Sequence, residues 1–274
     1  MEKLDRLGWA GGVAVAPYGV TIGVRVSRSG EALQAVERLL LPHWERQFSD
    51  GFQGNVDQLF SLRVGGEGPR PGVRNYHLLY DGAARVARSH DLDEVLRVLE
   101  GRLHLWVGAT ARDRVFVHAG VVGWRGQAIV LPGRTMTGKS SLVSALVSRG
   151  ATFYSDEYAV LDPEGLVHSY PRPLSLREPA RRVAPEQLGG GPDLPPLPVG
   201  LVLQTRYRDQ SRFAPRAVST RAAVMGLMAN ALSAVLNPEL NMRVLPLVAS
   251  RALRLSGPRP EAGDMADRLL RRLS

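Results

Sequence analysis

The sequence predicts an α/β protein in two parts. A small α/β domain covers residues 1–110, and a mixed sheet carrying a phosphate-binding loop (P-loop) covers 111–274. Three observations predict it. Valine-rich runs that alternate in polarity, such as GGVAVAPYGVTIGVRVS at 11–27, read as strands. Stretches with apolar residues at helical spacing, such as EALQAVERLLL at 31–41, lie between them. At 131–141 the chain reads LPGRTMTGKSS, a glycine-rich corner between an apolar strand-like run and a helical one.

The elements follow in order. Residues 11–27 form one or two strands, and the helix at 31–41 stops before Pro42. FSLRV at 60–64 is a short strand, and GGEGPRPG at 65–72 a loop. Residues 75–89 read as a hairpin turning at Asp81-Gly82. A helix follows, with Asp91 as its cap and Glu94 placed as in a capping box. Its apolar face is Leu92, Val95, Leu96, Leu99 and Leu103. Beyond residue 110, residues 114–133 read strand, turn at 124–126, strand. KSSLVSALVSRG is a helix closed by Gly150. ATFYSDEYAVLD is strand-like up to the Pro163-Glu164-Gly165 break, and LVHSYPRPLSLRE is extended chain. The proline- and glycine-rich 184–200 segment is a loop. GLVLQTRY is a buried strand, 219–236 a helix, RALRLSGP a strand and EAGDMADRLLRRL a helix.

Composition narrows the function classes. The absence of cysteine removes disulfides and thiolate metal sites. No apolar run reaches 18 residues, so no membrane helix is expected. The MEKLDRLGWAGG stretch has no signal-peptide pattern, and the expected location is cytoplasmic. The net charge of +9 raises nucleic acid as a partner, but the arginines are dispersed rather than gathered in a block, which argues against it.

Lys3 and Lys139 are the only lysines among 35 basic residues. Lys139 sits where chemistry asks for one. Gly133, Arg134, Thr135, Met136, Thr137, Gly138, Lys139 and Ser140 fit G-x-x-x-x-G-K-[ST] in full, with Ser141 following. The glycines let backbone N–H groups converge on phosphate oxygens, and the following helix adds its positive end. Lysine is a compact charge on a thin stem, which suits that loop better than arginine's wide fork. The Ser140 hydroxyl is placed to meet Mg²⁺. A guanine-reading N-K-x-D motif is impossible with these two lysines, which removes the usual GTPase.

Asp156 and Glu157 follow the next strand-like run. In one continuous strand only one of them would face the loop, unless the strand ends there. A carboxylate at that place can hold Mg²⁺ or take a proton from a hydroxyl. His118 lies on the strand before the loop strand.

The stretch HAGVVGWRGQAIVLPGRTMTGKSSLVSALVSRGATFYSDEYAVLD, 118–162, resembles the catalytic core of HPr kinase/phosphorylase. That family has a histidine-bearing strand, a strand into the phosphate loop, a helix ending Arg-Gly, and a strand ending in an acidic pair. His118, the loop residues Gly133, Gly138, Lys139 and Ser140, Arg149-Gly150 and Asp156 match it, and Glu157 replaces the second aspartate. Ala119 and the loop interior depart from it, and the family's phosphorolysis signature is not visible. The chain is more similar to the shorter HPr kinase-related proteins associated with modified-peptide biosynthesis.

The resemblance implies an HPr kinase C-terminal-like fold and an ATP- and Mg²⁺-dependent kinase. The acceptor would be a hydroxyl, on Ser or Thr of a peptide or protein such as a biosynthetic precursor peptide. It implies catalytic roles for Asp156, His118 and Lys139, nucleotide binding by 133–141, and Mg²⁺ on Ser140 and Glu157. A non-catalytic ATP-binding regulator, a nucleic-acid-dependent ATPase and a kinase of a small-molecule hydroxyl stay open, as does assembly into a homo-oligomer.

Overall fold

The computed structural model describes residues 2–6, 8–28, 30–49, 55–67, 72, 74–133, 137–177, 180–212 and 214–273. The protein is mixed α/β and divides into two compact units, 1–112 and 113–274. Among the described residues no helix is long and apolar enough to cross a membrane.

In the first unit, strands β1 (Gly11–Val15), β2 (Ile22–Val26), β3 (Arg46–Ser49), β4 (Gln58–Arg63), β5 (His77–Asp81) and β6 (Ala84–Ser89) form one sheet. Its order is β3-β1-β2-β4-β5-β6, with β2 and β4 parallel and the other pairs antiparallel. The two longer helices of this unit are α1 (Glu31–Glu37) and α2 (Leu92–Thr110). Val95, Leu99, Leu103 and Val107 of α2 are fully buried, so the predicted apolar face continues one turn further. The 65–72 segment, expected as loop, contributes Gly66–Glu67 to a short pairing with Arg74–Asn75.

The capping box expected at α2 does not form. Asp91 Oδ1 accepts from Asp93 N at 2.9 Å, but Glu94 Oε2 accepts from the Ser89 hydroxyl at 2.6 Å. The Asp91 N–H goes instead to Ser89 Oγ. A serine two residues upstream outcompetes the capping residue's own N–H for the glutamate.

The second unit carries β7 (Val115–Trp124), β8 (Gln127–Pro132), β9 (Thr152–Ser155), β10 (Tyr158–Leu161), β11 (Leu166–His168), β12 (Leu197–Tyr207), β13 (Arg216–Ala217) and β14 (Leu253–Arg259). Its helices are α3 (Lys139–Val147), α4 (Thr220–Met228), α5 (Pro238–Arg251) and α6 (Ala262–Arg272). The sheet is mixed. β7 runs antiparallel to β8, β9 and β10, and β8, β12 and β14 run parallel. β11 joins β10 to the start of β12, so pairings close a circuit through β7, β8, β12, β11 and β10.

Alternation along these strands sorts the core into two faces. Val115, Val117, Ala119, Val121, Ala128 and Val130 pack with Ala223 and Leu227 of α4 and with Val244 and Val248 of α5. Val122, Ile129 and Leu131 pack with Leu142, Val143 and Leu146 of α3 and with Met265 and Leu269 of α6. Each buried leucine or valine on α3 contributes about 1.5–3 kcal/mol. Gly120 lets α3 approach: a Cβ there would lie 2.6 Å from Val143 Cγ2.

Four expectations need correction. The 152–162 run is two strands rather than one, broken at Asp156-Glu157, where Ser155 Oγ accepts from the N–H groups of Glu157 and Tyr158. The 184–200 loop is shorter than expected, because β12 begins at Leu197. The 219–236 helix ends at Met228, and Ala231 instead bridges to Val117. Helix α5 was not expected at all. Asn237 caps it by accepting from Leu240 N, Pro238 starts it, and Pro246 lies inside it. The internal proline hides this helix from periodicity.

Candidate functional site

β8 and β9 are both antiparallel to β7, so their carboxyl ends lie at the same end of the sheet, one strand apart. The loop from Gly133 leaves the end of β8, and Asp156 leaves the end of β9. His118 of β7 stands between them. It pairs opposite Tyr158 and its carbonyl accepts from Gly133 N at 3.1 Å. By parity with Gly120 and Val122, the His118 side chain is on the α3 face.

The loop closes on itself. Lys139 Nζ donates to the Gly133 carbonyl at 2.7 Å, bringing the first and last turns of the loop together. A Cβ on Gly133 would lie 2.9 Å from Thr137 Oγ1, and Gly138 has φ +81°, where only glycine is relaxed. Helix α3 starts directly at Lys139, so its N-terminal turn and the positive end of its dipole lie at the loop. Ser140 sits in the first turn, half-buried, and Ser141 is exposed beside it. Arg134, Thr135 and Met136, expected to bind nucleotide, lie outside the described residues.

Asp156 meets this loop from the other side. Its carboxylate is hydrogen-bonded to the Ser140 hydroxyl and feels the charge of Lys139. Burial dominates these, raising its pKa to about 6. Its Oδ1 is buried with no hydrogen-bond partner among the described residues. Burial also pushes Lys139 down, opposed by Asp156. His118 falls to about 4, from burial first and then from Lys139, so its ring is neutral at pH 7. The structure thus brings Gly133, Thr137, Gly138, Lys139, Ser140, His118 and Asp156 into one site. Chemically, that site offers a cationic cradle for an anion beside a carboxylate poised to exchange a proton near neutrality.

Glu157 does not join it. The break at Ser155 sends the two acidic side chains apart, and Glu157 forms an ion pair with Arg172. Among the described residues no group of three or more His, Cys, Asp or Glu side chains is placed to hold a metal ion.

Two residues that the sequence did not single out complete the surroundings. Arg259, at the end of β14, is only 3% exposed, and its Nη2 donates to the Gly138 carbonyl at 2.8 Å. Its guanidinium lies over the Tyr207 ring, 5.2 Å from the centroid. The signal was a basic residue at the carboxyl end of a strand parallel to β8, but a strand read as ending at Pro258 stops one residue short. Beside the loop, a cleft of about 630 Å³ opens at the carboxyl ends of β8, β12 and β14, lined by Pro132, Gln204, Arg206, Gly226 and Asn230 among others. That is where ligands enter open α/β sheets.

No protein-family model matches the chain, and no curated protein matches its sequence.

Proposed function

We propose that the protein is an ATP- and Mg²⁺-dependent kinase of the P-loop class, similar to HPr kinase, which transfers the γ-phosphoryl group to a hydroxyl, of Ser or Thr in a peptide or protein. The observation that carries this reading is the buried Asp156 carboxylate between Ser140 and Lys139, with one oxygen left without a partner. A carboxylate left short beside a lysine and a serine hydroxyl suits a site completed by its ligands.

The residues fit the groups this reading requires. Lys139 and the loop N–H groups would hold the β- and γ-phosphates. Ser140 would hold Mg²⁺, which supplies charge neutralisation on the phosphates. Glu157, committed to Arg172, suits that task less well. In the transfer, the acceptor oxygen forms a bond to the γ-phosphorus as the bond to the β-γ bridging oxygen breaks. ADP leaves, and Asp156 takes the hydroxyl proton. A carboxylate with a pKa near 6 is mostly ionised at pH 7 yet basic enough to share that proton. His118, neutral and beside Lys139, shapes the site without adding charge. Most of the acceleration comes from positioning and charge neutralisation.

The test is transfer of radiolabelled phosphate from Mg-ATP. Lys139→Ala should abolish ATP binding, and Asp156→Asn should keep binding but lose transfer by about a hundredfold or more. If both variants transfer as well as the unaltered protein, the mechanism is wrong. If Asp156→Asn leaves the biological activity intact, the protein is a nucleotide-dependent regulator instead.

A further inference from the structure

The cleft beside the loop has a position and chemistry of its own. Pro132 belongs to the face of β8 that packs on α4 and α5, by parity with Ala128 and Val130. Gln204 is on the same face, since its Nε2 donates to Ala223 O in α4 at 3.3 Å. Helix α3 and the loop's Lys139 are on the opposite face. The cleft therefore approaches the sheet end from the side away from the loop helix. The two sides meet at His118, whose N–H goes to the Asn230 carbonyl at 2.7 Å while its own carbonyl holds Gly133.

The lip of this cleft is cationic. Arg206 and Arg208 line it, and both are exposed. Alternation places Arg206 on the face of Gln204, Arg208 follows directly on the end of β12, and Tyr207 also lines the cleft. Neither forms an ion pair among the described residues. Of the carboxylates nearby, Glu261 accepts from the Tyr207 hydroxyl at 2.5 Å, and Asp209 is exposed to solvent. The deeper lining, Gln204, Gly226 and Asn230, has hydrogen-bonding groups but no charge.

We infer that this cleft seats the phosphoryl acceptor, and that the acceptor is a hydroxyl compound bearing carboxylates, held by Arg206 and Arg208. The inference rests on the kinase reading above and adds the substrate's charge to it. A nucleotide gripped at the loop and α3 leaves this side of the sheet end to the second substrate. A cleft of about 630 Å³ open at its lip admits either a peptide segment or a small hydroxy acid.

The experiment measures phosphate transfer from radiolabelled Mg-ATP by the full chain. The peptide acceptors carry one serine flanked by glutamates, by alanines or by arginines. Free L-serine and D-glycerate, against glycerol as the neutral control, make up the small-molecule arm. Acidic acceptors should exceed neutral ones by about tenfold at low salt and by less at high salt. The Arg206→Glu/Arg208→Glu double variant should lose or invert that ranking while its ATP affinity stays within about twofold. The arm that is phosphorylated tells a peptide from a small molecule. Equal use of neutral or basic acceptors, or a ranking untouched by the charge reversal, overturns the assignment. So does ATP binding that depends on Lys139 with transfer to none of these acceptors. If the unaltered protein does not bind ATP, the kinase reading falls with it.

Discussion

Arg259 and Gly138, 121 residues apart, are joined by a 2.8 Å hydrogen bond from Nη2 to the glycine carbonyl. The guanidinium fills the space a side chain at 138 would need: a Cβ there would lie 1.9 Å from Nη2. The last strand of the sheet thereby fixes the backbone at the start of α3. Gly138→Ala should fail twice, through strain at φ +81° and through collision with Arg259. Arg259→Met should weaken ATP binding by about tenfold or more, because the loop carbonyl loses a charge-assisted donor. Titration of ATP monitored by calorimetry checks both. Arg259→Met with unchanged ATP affinity and unchanged melting would remove the residue from the site.

On the kinase reading, the pH dependence of transfer follows from Asp156. Its pKa is raised to about 6, so the proton-accepting form is present above that pH and lost as pH falls through it. The rate should rise with pH along a limb centred near 6, and that limb should vanish in Asp156→Asn. Stability moves the other way. The folded protein holds the Asp156 proton more tightly than the unfolded chain does, so this group favours folding below about pH 3.8, and that contribution fades as pH rises through 6. His118, lowered to about 4, acts oppositely: its contribution is full above 6.5 and lost as pH falls through 4. The two nearly offset each other. Asp156→Asn should uncover the histidine, giving a protein whose melting temperature climbs between pH 4 and 6.5.

Much of the site was legible because it depends on short-range pattern. The loop motif, the strand before it and the helix after it are contiguous, so Lys139 and Ser140 could be placed from spacing alone. Asp156 was legible only as one of two acids. What separated it from Glu157 is the Ser155 hydroxyl capping the break, a local competition that alternation does not contain. Arg259 was not legible, because its role comes from β14 lying parallel to β12 and ending beside the loop. The first unit's hairpin followed from Asp81-Gly82, whereas α5 hid behind Pro246. Long-range pairing and internal prolines are where a single sequence falls silent.

The separation of the two acids makes its own prediction. Glu157 is half-exposed, but the oxygen it turns to the largely buried Arg172 is itself buried, so its loss leaves that guanidinium short of its counter-charge rather than removing a group from the site. Glu157→Gln should cost about 1–3 kcal/mol of stability, because Arg172 loses its counter-charge, and leave transfer within about threefold. Asp156→Asn should cost far more activity at little loss of stability, since it relieves a buried charge. Parallel kinetics and thermal melts on the two variants read the contrast directly. Equal loss of activity in both would place Glu157 with the metal after all.

Helix α4 lies so close to β12 that a Cβ on Gly226 would be 1.8 Å from Gln204 Nε2. In an open helix, Gly→Ala is favourable by about 0.8–1 kcal/mol. Here the contact should reverse the sign. Gly226→Ala alone should lower the melting temperature, because Gln204 must leave its bond to Ala223 O or push α4 outward. In a Gln204→Ala background the obstacle is gone, and the same substitution should stabilise by about 0.5–1 kcal/mol. A double-mutant cycle by denaturant unfolding gives the coupling, expected at about 1–2 kcal/mol. If Gly226→Ala has the same effect in both backgrounds, the helix is free to adjust.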